Sequence, residues 1–309
     1  MLASLRKHVW NWLPAFVEIA EAGSVVAAAR RLALTPAAVS RTLGLLEDAL
    51  GYPLFDRVGK RLALNAAGVA LRDAVRAATR VVDAGLAGDA DDRLGGPLRV
   101  ASLGVLTDHV VVPALIALRG AHPALVPEHV VLGPAEANAL LVRGLLDVAF
   151  YYEELTSEEI AVERLGALGA TVYCGRGHPL FAARRVTRAA VLAHPFSVPR
   201  IGDSGRVQDG WPADVPRSIG MRITMLRSNL VVALSGTLLT VLPDVTAAPH
   251  VARRELRPLP VVPLAPIAVF AARHRGALER RLGQATIAAV RAQLAAIASA
   301  PGRRAGRGR

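Results

Sequence analysis

The stretch from Ser24 to Gly51, SVVAAARRLALTPAAVSRTLGLLEDALG, constrains the fold more than any other part of the chain. It spells two short helices joined by about three residues, Ala33, Leu34 and Thr35. Ser24 and Thr35 stand at N-cap positions, and Gly51 at a C-terminal stop. Pro36 takes the first helical position, where a missing N–H costs nothing. Val25, Ala28 and Leu32 mark one buried face, and Val39, Leu43, Leu46 and Leu50 another. Upstream, Leu13, Phe16, Val17 and Ala20 share one side of a supporting helix that Gly23 ends. Two helices joined this tightly behind a third describe a helix-turn-helix.

The other face of the third helix carries Ala37, Ser40, Arg41 and Gly44. Small residues there allow a close approach, while Ser40 and Arg41 can reach phosphates or base edges. Next, Leu54–Arg57, a turn at Gly59 and Arg61–Leu64 read as a hairpin. Such a wing sets Arg57, Lys60 and Arg61 near phosphates. The helix pattern alone also fits a three-helix domain used for protein contacts. Charge favours nucleic acid: 37 Lys and Arg stand against 25 Asp and Glu, a net +12.

From Asn65 to about Leu86 the chain reads as one long helix. Leu71, Val75, Ala78 and Val82 follow a coiled-coil spacing along it. A stripe like this needs a partner, either a second copy or the helix's own domain. Gly95-Gly96-Pro97 ends a hinge. Beyond it, strands (LRVASLG, PEHVVLG, LDVAFYY) alternate with helices (VVPALIALRGAHP, EANALLVRG), arguing a parallel α/β sheet. Ligands of open α/β sheets sit beyond strand C-termini, near helix N-termini. That nominates Ser102, Leu103 and Gly104, then Tyr151, Arg200, Ile201 and Thr224. Helix N–H groups with Ser102 and Thr224 would suit a small carboxylate, and Arg200 would pair with it.

The run FVEIAEAGSVVAAARRLALTPAAVSRTLGLLEDALGYPLFDRVGKRLALNAAG resembles the DNA-binding end of LysR-type transcriptional regulators. The resemblance rests on Phe16, Gly23-Ser24, Ala28-Ala29, Leu32, Ala38-Val39-Ser40, Leu46-Glu47, Leu50-Gly51, Leu54-Phe55, Arg57 and Ala67-Gly68. Val25 departs from the usual aromatic, and Asn65 from the usual Thr, though Asn is still a good N-cap. GLLDVAF, GHPLF, HPF and GTLLTVLP extend the resemblance more loosely to about Leu294.

It implies an α+β multidomain chain: a winged helix-turn-helix (1–65), a linker or dimerisation helix and hinge (66–94), and an effector domain (95–300). That last domain would be α/β, two-lobed and built like a periplasmic binding protein. Its first lobe is placed at 98–165 with 267–298, and its second at 166–266. The function implied is sequence-specific transcriptional regulation under a small-molecule effector. Double-stranded DNA would be read with Ser24, Thr35, Pro36, Ala37, Ser40, Arg41, Arg57, Lys60 and Arg61. Further expected partners are a second or further copy, as homodimer or homotetramer, and RNA polymerase. The alternative is a small-molecule-binding protein whose head makes protein contacts only; an enzyme is a third option.

Signals for enzyme chemistry are weak. GDSG at Gly202–Gly205 echoes a protease nucleophile loop, but no histidine motif stands upstream and the α/β pattern is wrong for that fold. Arg206 also breaks a G-x-S-x-G elbow. Cys174, the one cysteine, lies in TVYCG, which reads as a strand, so a dyad with His178 is disfavoured. The eight histidines lack metal-ligand spacing, and no phosphate-binding or dinucleotide motif occurs, so no cofactor is expected. No apolar run reaches the roughly 18 residues of a membrane helix. VVPLAPIAVFAA, from Val261, reads as a strand. With Glu18 and Glu21 following Arg6 and Lys7, no secretory signal is read, and a cytoplasmic protein is expected. The 301–309 tail, PGRRAGRGR, reads as disordered and basic.

Overall fold

The computed structural model describes residues 2–58, 61–86, 94–199, 207, 209–223, 226–275 and 281–299. The chain divides into two compact units, Met1–Ala90 and Asp91–Arg309.

In the first unit, α1 (Leu2–Ala22), α2 (Val25–Arg31) and α3 (Pro36–Leu50) enclose a small apolar core. Thr35 Oγ1 accepts from Ala38 N at 3.2 Å, capping α3, and Gly51 closes it in the left-handed region at φ 83°. Ser24 occupies the N-cap position of α2 but makes no side-chain cap bond. Phe16, Ile19, Ala28, Val39, Leu46 and Leu54 are fully buried together. The hairpin is β1 (Phe55–Val58) paired antiparallel with β2 (Arg61–Leu64), with Phe55 opposite Leu64. It starts one residue later than the sequence spacing predicts. Leu54 is instead held beneath it, its N–H on Glu47 Oε1 at 2.6 Å.

Asn65 caps α4 (Ala66–Leu86) by accepting from Gly68 N at 2.9 Å and ties it back by donating to Pro53 O. Gly68 is required by contact: a Cβ there would collide with the Leu54 carbonyl. Leu71 and Val75 of α4 join the core of this same unit, and Arg76 pairs with Glu21 of α1 at 2.9 Å. Of the stripe, Leu71 and Val75 thus pack at home, whereas Val82 is 48% exposed.

The second unit holds two five-stranded sheets. The first has the order β4-β3-β5-β12-β6, with β3 (Gly96–Ser102), β4 (Leu125–Val131), β5 (Val148–Tyr151), β6 (Ile160–Leu168) and β12 (Ile267–His274). β3 runs parallel to β4 and β5, whereas β12 is antiparallel to β5 and β6. The sheet is therefore mixed rather than wholly parallel, because the chain returns to it only at the end. β6 continues to Leu168, so the first lobe reaches past Leu165. β12 starts only at Ile267: Pro263 and Pro266 have no N–H to give a ladder, which shortens the strand expected from Val261. Side chains alternate across β12: Val269 and Ala271 pack with α11 (Arg281–Ser299), Phe270 and Ala272 with α7 (Pro134–Val142).

The second sheet, order β11-β7-β10-β8-β9, contains β7 (Ala170–Gly175), β8 (Phe196–Pro199), β9 (Ile219–Ile223), β10 (Leu239–Pro243) and β11 (Leu256–Pro258). α8 (Arg188–Leu192), α9 (Leu226–Ser235) and α10 (Asp244–Ala252) belong to this part. The chain crosses between the sheets after β6 and again before β12.

α5 (Gly104–Leu106), a π turn (Thr107–Val111) and α6 (Val112–Ala121) run on as one helix. Contrary to the sequence expectation, this 18-residue helix is long and apolar enough to cross a membrane. It carries Asp108 and Arg119, however, and Val105, Leu106, Val110, Val111, Ala114, Leu115 and Leu118 are buried in the first lobe.

Candidate nucleic-acid interface and effector cleft

α3 presents two unlike faces. Val39, Leu43 and Leu46 are buried, whereas Thr35, Pro36, Ala37, Ser40 and Arg41 are exposed. Gly44 lies between them, and a Cβ built there meets nothing within 4 Å. Its smallness is therefore not demanded by the protein's own packing. Arg41 and Arg57 are exposed, and neither has an ion-pair partner among the described residues. Ser24, with a hydroxyl free of capping, heads α2. Lys60 and the Gly59 turn lie outside the described residues, and Arg61 is described only as the first residue of β2. Spacing did not single out Arg30, also exposed and without an ion-pair partner among the described residues.

At the C-terminal end of β3, Ser102 is 1% exposed. Its Oγ lies 2.8 Å from Thr107 Oγ1 and 2.7 Å from His129 Nε2 on β4. Burial lowers the His129 pKa below its ordinary value, partly offset by Asp108. The imidazole is therefore neutral at pH 7. Leu103 and Gly104 are half-exposed at the start of α5, and Gly104 takes φ 59°, a conformation that favours glycine. The π turn follows at once, a distortion often found at functional sites.

α5 lies against α9 of the second lobe. Beneath the start of α9, Asn229 is fully buried and accepts from Ser197 Oγ at 2.5 Å. Asn229 Nδ2 and Thr240 Oγ1 have no hydrogen-bond partner among the described residues. A polar group thus sits on each side: Ser102, Thr107 and His129 on one, Ser197, Asn229 and Thr240 on the other. Thr107, His129 and Asn229 were missed because helical and strand periodicity marks no polar residue that a fold turns inward.

Tyr151 does not belong to this set. It is 1% exposed, packed with α7, and its hydroxyl donates to Asn138 Oδ1 at 3.1 Å. Strand alternation turns Tyr151 to the α7 face and Tyr152 the other way, so Tyr152 oxygen accepts from Leu106 N at 2.9 Å. Arg200, Ile201, Thr224 and the Gly202–Gly205 echo lie outside the described residues, as does the 301–309 tail. Cys174 is buried, and burial pushes its thiol up to about 11, only partly offset by Arg257, which makes it a poor nucleophile. Among the described residues no cluster of His, Cys, Asp and Glu could hold a metal.

Comparison with known proteins places both units. Residues 91–295 match the family described as LysR substrate binding domain. Residues 10–69 match the bacterial regulatory helix-turn-helix protein, lysR family. The chain is similar to the HTH-type transcriptional activator CmpR of Synechocystis sp., 26% identical over 62% of this chain and 64% of that protein. In fold it is similar to the probable transcriptional regulator PA0477 of Pseudomonas aeruginosa, with a TM-score of 0.66 and 23% identity over 93% of this chain and 97% of that one. Full-length CbnR, solved in complex with its target DNA, aligns with a TM-score of 0.59 and 19% identity over 92% of this chain and 99% of that one. With the substrate-binding profile covering more than half its length, the chain belongs to the LysR family of transcriptional regulators.

Proposed function

We propose that this regulator binds a specific double-stranded DNA site through α3 and answers to a small-molecule effector held between its two lobes. The observation that carries the DNA reading is the bare face of α3. Exposed Ala37, Ser40 and Arg41 sit beside a glycine whose missing Cβ serves no internal contact. Such a face suits insertion into the major groove, with Ser40 and Arg41 reaching base edges or phosphates. Thr35 and Pro36 would lie at the groove entrance, and Ser24, Arg57, Lys60 and Arg61 would fix position on phosphates. The solved CbnR–DNA complex supports the assignment by fold.

For the effector, the hydroxyls of Ser102 and Thr107 and the start of the helix at Gly104 suit a small carboxylate. The polar atoms of Asn229 and Thr240 that lack a partner suit its other end. Leu103 would flank it, with Arg200, Ile201 and Thr224 closing the second side. The effector shifts DNA binding only by favouring one arrangement of the assembly over another. That assembly would be a homodimer or homotetramer, joined partly through the Val82 end of α4, matching a palindromic site and presenting it to RNA polymerase. A cytoplasmic location and the absence of enzymatic activity follow from this role. A gel shift with the DNA upstream of the chain's own gene tests it. Specific binding is expected; a head that contacts only protein would give none.

A further inference from the structure

Between Glu163 and Asp203 the chain has no Asp or Glu. Arg176, Arg184, Arg185 and Arg188 fall in that stretch, and all four are exposed. From Val245 to Pro260 the one acid is Glu255, next to Arg253 and Arg254, which are exposed too. Acids of the second unit crowd instead between Glu128 and Glu163, in the first lobe.

The fold brings the two arginine-bearing stretches together. β7 and β11 pair at the edge of the second sheet, Leu256 opposite Gly175 and Arg257 opposite Cys174. Arg176 therefore leaves β7 beside the residues that lead into β11. Its guanidinium donates to Arg254 O at 2.8 Å and to Arg253 O at 3.1 Å. Arg257 reaches the other way. Its Nη1 donates to the carbonyls of Leu180 at 2.9 Å, Phe181 at 2.8 Å and Ala183 at 2.7 Å. The turn that leads into Arg184 and Arg185 is thereby tied to the same edge. Arg254 is fixed in the left-handed region at φ 56°, its N–H on Val251 O at 2.9 Å.

The charge gathered here is not neutralised at home. Arg253 and His250 share Glu255, at 3.1 and 2.7 Å. Arg176, Arg184, Arg185, Arg188 and Arg254 have no ion-pair partner among the described residues. Protection of an exposed sheet edge does not account for them. Pro258 and Pro260 already deny that edge N–H groups, and Arg257, the cation on the strand itself, is turned to the carbonyls of the turn. Like charges held on one surface repel, a cost that a bound polyanion offsets.

We infer that this edge of the second lobe is a further contact surface for double-stranded DNA, holding its phosphates without regard to sequence. Guanidinium forks match phosphate oxygens in charge and in geometry. The inference rests on the reading of α3 as a DNA-binding face. DNA is then the polyanion that the chain already holds, so the second contact forms at high effective concentration. None of these arginines belongs to the proposed effector cleft.

The test is the salt dependence of binding by the full-length chain to a long mixed-sequence duplex, followed by fluorescence anisotropy. The triple variant Arg184→Ala, Arg185→Ala, Arg188→Ala changes exposed side chains without ion-pair partners among the described residues, so the fold should be kept. The slope of log affinity against log salt should be shallower by about 2–3 in this variant. Lys at the same three positions should restore it, because the charge is kept. An unchanged slope overturns the inference. So does an unchanged slope joined to lost binding of poly-L-glutamate, which would assign the surface to an acidic protein segment instead. The two readings fail separately. Full operator preference in Arg41→Ala would remove α3 as the reading face, while a shallower slope in the triple variant would still support the surface on the second lobe.

Discussion

At the scale of single residues, Gly44 separates two explanations for the small side chains of α3. If glycine were there for internal packing, Gly44→Ala would destabilise the fold. The structure shows open space around its Cα, so the substitution should instead raise stability by about 0.5–1 kcal/mol through helix propensity. Thermal melts would show that gain, and a gel shift of the same variant should show weaker operator binding, because the added methyl lies on the approaching face. His129 provides a second test at this scale. Its folded pKa is depressed, so the unfolded chain takes up the proton more readily. Its contribution to stability is therefore complete above the unfolded value of 6.5 and is lost as pH falls from there through the lower folded value. His178, depressed by burial and by His194, acts in the same direction. Melting temperature should drop between pH 7 and pH 5, and His129→Gln should make that drop shallower; an unchanged slope would remove His129 from the account.

At the scale of elements, caps decide where helices begin, and Asn65 is the clearest instance. It both caps α4 and holds Pro53, so Asn65→Ala, which removes both bonds, should cost about 1–2 kcal/mol, measured by denaturant unfolding. Elements of this kind were legible in the sequence. Thr35, Pro36 and Gly51 bracket α3 because capping is a local chemistry, and the apolar spacing of Val39, Leu43 and Leu46 gave its inner face. What spacing does not carry is the identity of the partner. Leu71 and Val75 form the same stripe whether they meet a second chain or α1, and they meet the core of their own unit. Nor does alternation say which face of a strand a ligand will use: the strand end points to Tyr151, whereas the structure turns Tyr152 toward the cleft helix. Ser102 was legible as a strand end, but His129 was not, since its role comes from β4 lying next to β3. On α4, Val82→Asp should weaken self-association while leaving the melting temperature of the head nearly unchanged; sedimentation at graded concentrations checks it.

At the scale of the whole molecule, the account is of two units with divided labour: a head that reads DNA and a two-sheet domain that takes small molecules. Membership of the LysR family fixes the kind of protein, and the bare face of α3 is the reading surface we propose. Arg41 is the exposed cation on that face, without an ion-pair partner among the described residues. If it meets a guanine through two hydrogen bonds, removing it costs about 1–3 kcal/mol of discrimination. An Arg57 substitution should instead weaken all sequences alike and flatten the salt dependence. The most direct measurement is therefore a gel-shift titration of the DNA upstream of the chain's own gene, with unrelated DNA as competitor, comparing the native chain with Arg41→Ala. The account predicts a shift that resists unrelated DNA in the native chain and loses that resistance in the variant. Equal specific affinity for the two proteins would contradict it.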